Sequence, residues 1–192
     1  MENSPASPGR PCYLIPQGQG ITVGGRAAAA AILALSCAAW ARPADAGRLV
    51  GYASGYPAGL ILISQSARTL YLIVDSRTAI AYPVAVAKPG KEWTGAARVE
   101  AKYVEPAWSP PDSVRRDHPE LPDVIPGGSP HNPMGARAIT LDRDEIAIHG
   151  TTKAMRASIG RAASYGCIRM RNEDVIDLFD RVTVGAPVFM TR

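Results

Sequence analysis

Residues 59–87 read GLILISQ, SAR, TLYLIVD, SRT, AIAYPVAVA: three short apolar runs separated by two polar tripeptides. Each run is too short for a typical helix and rich in Leu, Ile, Val and Tyr, which favours extended chain. The breaks at Ser66-Ala67-Arg68 and Asp75-Ser76-Arg77 are turn-length, so the runs are expected to pair as consecutive antiparallel strands with one face buried. Further strands are expected at Ala97–Val104, Ala138–Leu141, Glu145–His149 and Pro187–Thr191. One convincing helix follows Asn172, read as its N-cap, with Glu173 and Asp174 in the first turn and Val175, Ile176, Leu178, Phe179 and Val182 on one face. The expected fold is mostly β with a single C-terminal helix.

The whole chain has 192 residues, a net charge of +4, and 46% hydrophobic, 6% aromatic and 20% charged residues. This composition suits one globular domain and excludes collagen-like, coiled-coil and wholly disordered chains. No block of Lys and Arg interleaved with aromatics marks a nucleic-acid surface, so no nucleic-acid partner is expected. Between Pro106 and Pro133 lie six further prolines and Trp108. That density predicts a long loop without regular strand or helix, and a loop of such length in a small domain suits a binding loop or lid.

The three cysteines, Cys12, Cys37 and Cys167, are too few and too scattered for a disulfide framework or a multi-cysteine metal site. Residues Ala27–Ala41 form an uncharged, Ala-rich run after Arg26, shorter than a membrane-spanning helix needs. It has the form of a signal-peptide core, with small-residue processing sites at Ala39/Ala41 and Ala44/Ala46 and no twin arginine. The expected division is therefore an N-terminal extension and signal peptide over 1–46, with a start near Val23, and an exported domain over 47–192. No stable membrane span is expected after cleavage. Processing would leave Cys167 as the sole thiol in an oxidising compartment, where cysteines normally pair.

Cys167 follows Ser164-Tyr165-Gly166 between a strand and a helix, and Ile148-His149-Gly150-Thr151 lies upstream. A turn of this kind can expose a sulfur and several backbone N–H groups together, and an imidazole within reach can take the thiol proton. On these residues alone, an inert buried thiol and a packed histidine remain open alternatives. With one soft ligand and no short ligand spacing, no metal and no cofactor are expected.

At these residues the sequence closely resembles the L,D-transpeptidase family, the YkuD-type catalytic domain. The family pattern is a histidine, a spacer, Ser or Thr, usually a second histidine, then Gly-Cys. Here His149, a spacer of 14 residues and Ser164-Tyr165-Gly166-Cys167 match it, with Tyr165 departing from the usual histidine. Pro83–Gly95, Pro126–Ile139 and Ile148–Thr151 are similar to further family blocks. The resemblance implies a YkuD-like β-sandwich or barrel and a Cys167 nucleophile with His149 as base. It further implies oxyanion and orienting roles for Tyr165, Gly166 and Gly150, and substrate contacts from Arg169, Ser164, Arg137 and Trp108. It implies a thioester formed on a peptidoglycan tetrapeptide stem, resolved by a stem amine (a 3-3 cross-link), a lipoprotein lysine or water, in the periplasm or cell envelope. The alternatives are an L,D-carboxypeptidase and a silent wall-binding module, for which Tyr165 is the support.

Overall fold

The three opening runs form three consecutive antiparallel strands, as their alternation requires. A computed structural model describes residues 14–15, 46–53 and 55–192; the expected signal core Ala27–Ala41, with Cys12 and Cys37, lies outside the described residues. The strands are β1 Leu14–Ile15, β2 Arg48–Gly51, β3 Ile61–Ser64, β4 Thr69–Ile73, β5 Thr78–Pro83, β6 Val86–Ala87, β7 Gly95–Val104 and β8 Ala107–Trp108, then β9 Arg137–Leu141, β10 Ala147–His149, β11 Ala162–Ser164, β12 Ile168–Arg169 and β13 Pro187–Thr191. Helix α1 spans Asp112–Asp117 and α2 spans Asn172–Arg181. Nine strands make one sheet in the order β12-β10-β9-β7-β13-β3-β4-β5-β2. Only β12/β10 and β13/β3 are parallel in it. Just past β5, Ala85 exchanges backbone hydrogen bonds of 2.8 and 2.9 Å with Arg169 of β12. The sheet therefore curls until its β12 end meets the chain leaving β5, which makes it the expected mostly β, barrel-like fold.

The main core lies inside the curl, where Ile61, Ile63, Leu70, Ile148 and Ile168 pack with Met170, Val175 and Leu178. Each fully buried aliphatic side chain there is worth about 1.5–3 kcal/mol. β3 is buried on both faces rather than one. Leu62 points away from the main core into a second cluster with Leu60, Ile73, Ala79, Tyr71 and Phe189. The third run also breaks at Pro83, which cannot donate to a ladder: beyond it, β6 turns to pair with β11 in a separate two-stranded sheet. The expected strand from Glu145 begins only at Ala147, because Glu145 has φ +61° and belongs to the β9–β10 turn.

The sequence reading expected no regular strand or helix in the Pro-rich stretch, and the structure corrects this. β8 precedes the Pro110-Pro111 pair and α1 follows it, with Pro111 at the helix N-cap, where a missing N–H costs nothing. Trp108, Ile125, Met134 and Ala138 form a small core of their own beneath it. Buried Asn132 holds the remainder, its Nδ2 donating to Pro106 O at 2.8 Å and Pro126 O at 3.0 Å, and its Oδ1 accepting from Met134 N at 2.9 Å.

Asn172 is not the cap of α2. Arg171 holds that position, and Asn172 Oδ1 instead accepts from Ala136 N at 3.1 Å and Thr151 N at 3.0 Å. One side chain thus ties the helix to the two loops that flank His149. Because Asn172→Ala leaves two amides without an acceptor, it is expected to lower stability by about 1–3 kcal/mol, measured by chemical denaturation, whereas a mere cap would cost toward the lower end.

Candidate active site

Cys167 immediately precedes β12, and His149 ends β10. In the parallel register Ile148 faces Ile168 and His149 faces Arg169. Side chains alternate along each strand, so Cys167, His149 and Arg169 all project to the same side, with Cys167 and His149 as diagonal neighbours. All three line one cavity of about 270 Å³, roofed by Trp108, Pro111, Val114 and Leu121 of the Pro-rich stretch.

His149 is 3% exposed, and its Nδ1 lies 2.8 Å from Gly150 O and 3.1 Å from Pro133 O. Carbonyls only accept, so Nδ1 carries the proton and Nε2 keeps its lone pair. Burial, reinforced by the Arg169 charge, holds the imidazole down to about 3 against the pull of those two hydrogen bonds. Cys167 is half-buried and free, and its S–H donates to Glu145 O at 3.3 Å. Burial pushes its thiol up, with help from Glu145 and opposition from the Ala147 amide and Arg169. The site therefore pairs a neutral thiol with a neutral imidazole.

This has a consequence for stability. The unfolded imidazole titrates near its ordinary value, about 6.5, while the folded one stays neutral down to about 3. Between those pH values only the unfolded chain binds the proton. Stability is fully present above about pH 6.5 and is lost on acidification, at up to about 1.4 kcal/mol per pH unit from this group. Melting at pH 7 and pH 5 is expected to show the loss, and His149→Gln to reduce it.

The turn before Cys167 is held by Ser164, whose Oγ donates to Cys167 O at 2.6 Å and accepts from Gly166 N at 3.3 Å. Ser164 borders the cavity, but these bonds occupy it within the turn, and the Gly166 amide points inward to it. Gly166 has φ +131°, and a Cβ there would sit 2.6 Å from Ile146 Cδ1, so the bend requires glycine. Trp93 Nε1 donates to Gly166 O at 3.0 Å. Arg169 is 9% exposed; it donates from Nη1 to Ser158 Oγ at 2.8 Å while its Nε is buried without a partner. Trp108 both packs in the small core and borders the cavity. Arg137 is not in the cavity lining; its guanidinium lies 5.4 Å from the Phe179 ring centroid and donates to Ala136 O. Tyr165 OH donates to Asp117 Oδ2 at 2.5 Å, and Lys88 Nζ lies 3.6 Å from the tyrosine ring centroid. Glu145, His131 and Met155 also line the cavity. The sequence reading weighed His131 only as a metal ligand and passed over Glu145 and Met155 as site residues; the reversal of chain direction between β9 and β10 was the available signal for Glu145.

A family model described as the L,D-transpeptidase catalytic domain (YkuD) matches residues 58–190. The chain belongs to the L,D-transpeptidase family. It is similar to the probable L,D-transpeptidase ErfK/SrfK of Escherichia coli, with 38% identity over 68% of this chain and 43% of that protein. The chain thus spans less than half the length of that relative. A solved structure of an L,D-transpeptidase from Mycobacterium smegmatis shares the fold, with a TM-score of 0.55 and 20% identity over 69% of this chain and 58% of that one. A Brucella melitensis structure described as a probable carnitine operon oxidoreductase caia is 40% identical over 76% of this chain and 93% of that one, with a TM-score of 0.51.

Proposed function

We propose that residues 47–192 form a cysteine-dependent L,D-transpeptidase domain, exported behind residues 1–46, that acts on peptidoglycan tetrapeptide stems. The observation that carries this reading is the orientation of His149: with Nδ1 tied to two carbonyls, its Nε2 keeps the lone pair that would take a proton from the thiol at the start of the neighbouring strand. Thiol, imidazole and guanidinium are groups suited to acyl transfer, and the reading stands on them rather than on the oxidoreductase name of the Brucella structure. His149 takes the Cys167 proton as the sulfur attacks the carbonyl that precedes the terminal D-alanine. Backbone N–H groups of Tyr165 and Cys167 hold the oxyanion, each worth about 3 kcal/mol. The proton then passes to the departing D-alanine amine, and a thioester remains. A buried guanidinium without a carboxylate partner is costly, so Arg169 is suited to take a carboxylate of the donor stem.

Supplied with a disaccharide-tetrapeptide, the exported protein is expected to release D-alanine and form a 3-3 linked dimer. D-alanine release with no dimer at any acceptor concentration would leave the L,D-carboxypeptidase reading, and a lipoprotein lysine is the other acceptor to supply. Absence of both products would leave the silent wall-binding module.

Tyr165 fastens α1, a wall of the cavity, to the nucleophile turn through Asp117 and Lys88. This latch is solvent-exposed and adds little to stability. Tyr165→Phe is expected to leave Tm unchanged and shift KM for a bulky acceptor a few-fold, with D-alanine release from the donor preserved.

A further inference from the structure

Asp174, in the first turn of α2, is 1% exposed. Its Oδ1 accepts from Gly47 N at 3.2 Å, and its Oδ2 is buried without a hydrogen-bond partner. Among the described residues no side-chain cation pairs with it within 4.0 Å. A buried carboxylate served by one amide is an expensive arrangement unless a cation faces it. The Arg171 and Arg156 charges act on it only from beyond ion-pair distance, and the group within hydrogen-bond reach is the nitrogen of Gly47. That nitrogen is firmly seated, since a Cβ on Gly47 would lie 2.4 Å from Tyr82 Cε1 and 2.6 Å from Ile80 Cγ2. A groove lined by Arg48, Arg171 and Thr69 opens beside the pair.

The sequence immediately before Gly47 is Pro43-Ala44-Asp45-Ala46, after the uncharged run Ala27–Ala41. Small residues one and three positions ahead of a bond, after such a run and a helix-breaking proline, are what a signal peptidase cuts. Ala39 and Ala41 offer the same spacing ahead of Arg42. Cutting there would leave Gly47 N an uncharged peptide amide and Asp174 as it stands. Cutting after Ala46 would change that nitrogen into a cation.

We propose that this chain is processed between Ala46 and Gly47 and that the new α-ammonium of Gly47 is the partner for which the buried Asp174 carboxylate is built. A membrane-bound signal peptidase hydrolyses the Ala46–Gly47 amide. The water oxygen goes to the Ala46 carbonyl, which leaves as a carboxylate, and Gly47 departs as an amine that takes up a proton. An α-amine ordinarily titrates at about 7.7–8.0 and is held charged more firmly beside a carboxylate. The ammonium has three N–H donors, enough for both Asp174 oxygens. The pair pins β2, the edge strand, to the helix that begins five residues after Cys167. Removal of the leader thus completes the domain as well as releasing it.

The proposal rests on the export reading and is tested separately from it. The full-length chain is expressed with export, and the envelope protein is analysed by intact mass and N-terminal sequencing. A start at Gly47 is expected. A start at Arg42 would overturn this proposal and leave export standing, whereas unprocessed chain confined to the cytoplasm would overturn export and this proposal together. In the exported protein Asp174→Asn is expected to lower Tm by about 5 °C or more and to raise labelling of the α-amine by an amine-selective reagent at least about tenfold. In the unprocessed chain made in the cytoplasm the same substitution is expected to cost clearly less. Equal losses in the two forms would overturn the ion pair. If the variant does not fold, the unsubstituted exported protein decides: its α-amine is expected to label far more slowly when native than when denatured, and equal rates would overturn the pair.

Discussion

Cys167→Ser is expected to yield a folded protein that releases no measurable D-alanine, a loss of at least about 10⁴-fold. The substitution is close to isosteric, and the turn that holds residue 167 is built by Ser164 and Gly166, so the backbone is retained. What changes is the proposed nucleophile. Burial already raises the Cys167 thiol, and an alcohol in the same place is harder to ionise than the thiol by several orders of magnitude, in a site shaped around the larger sulfur. Intact mass after incubation with tetrapeptide donor, or with a carbapenem, reads the covalent adduct directly. An adduct of equal yield on the serine variant would remove Cys167 from the reaction.

His149→Gln is expected to cost about 10²–10⁴-fold in D-alanine release, with an altered pH profile. Glutamine can donate to the Gly150 and Pro133 carbonyls but cannot take a proton. Because the thiol is raised and the imidazole stays neutral down to about 3, the native pair holds no preformed thiolate, and in the proposed mechanism the proton moves during attack. Without the imidazole, solvent must ionise Cys167. The residual rate should then rise about tenfold per pH unit through neutrality, as the thiolate fraction does, while the native rate rises less steeply. A loss under tenfold with an unchanged profile would assign the base elsewhere.

Much of the fold was legible because its signals are local. The runs from Gly59 to Ala87 alternate with turn residues between them, and three antiparallel strands result. The parallel pairing of β10 with β12 has no local signature, and neither does the bridge from Ala85 to Arg169. Cys167 and His149, which the motif singles out, line one cavity, but the carbonyl of Pro133 at the His149 ring comes from the loop that leads into β9, a contact with no signal in the motif. Asn172 was misread because asparagine at a helix start carries the same signal whether its oxygen serves its own helix or distant loops. Arg137 was read as a substrate contact, yet it lies against Phe179 because α2 packs over β9, a tertiary fact that spacing does not contain. In the Pro-rich stretch, prolines that exclude helix interiors also favour helix starts, and α1 takes that second role.

The last strand in chain order, β13, lies in the middle of the nine-stranded sheet, antiparallel to β7 on one side and parallel to β3 on the other. Pro187–Thr191 zip together the two halves of the sheet, which meet again at the far end of the curl, where Ala85 pairs with Arg169. A chain emerging from a ribosome or a translocation pore, N-terminus first, cannot close this sheet until nearly all of it has arrived, since these contacts span more than a hundred residues. Folding is thus deferred by topology, and the polypeptide remains threadable through a narrow channel for as long as threading takes. On the same wiring, a nonsense codon ahead of residue 187 removes the strand that joins β7 to β3.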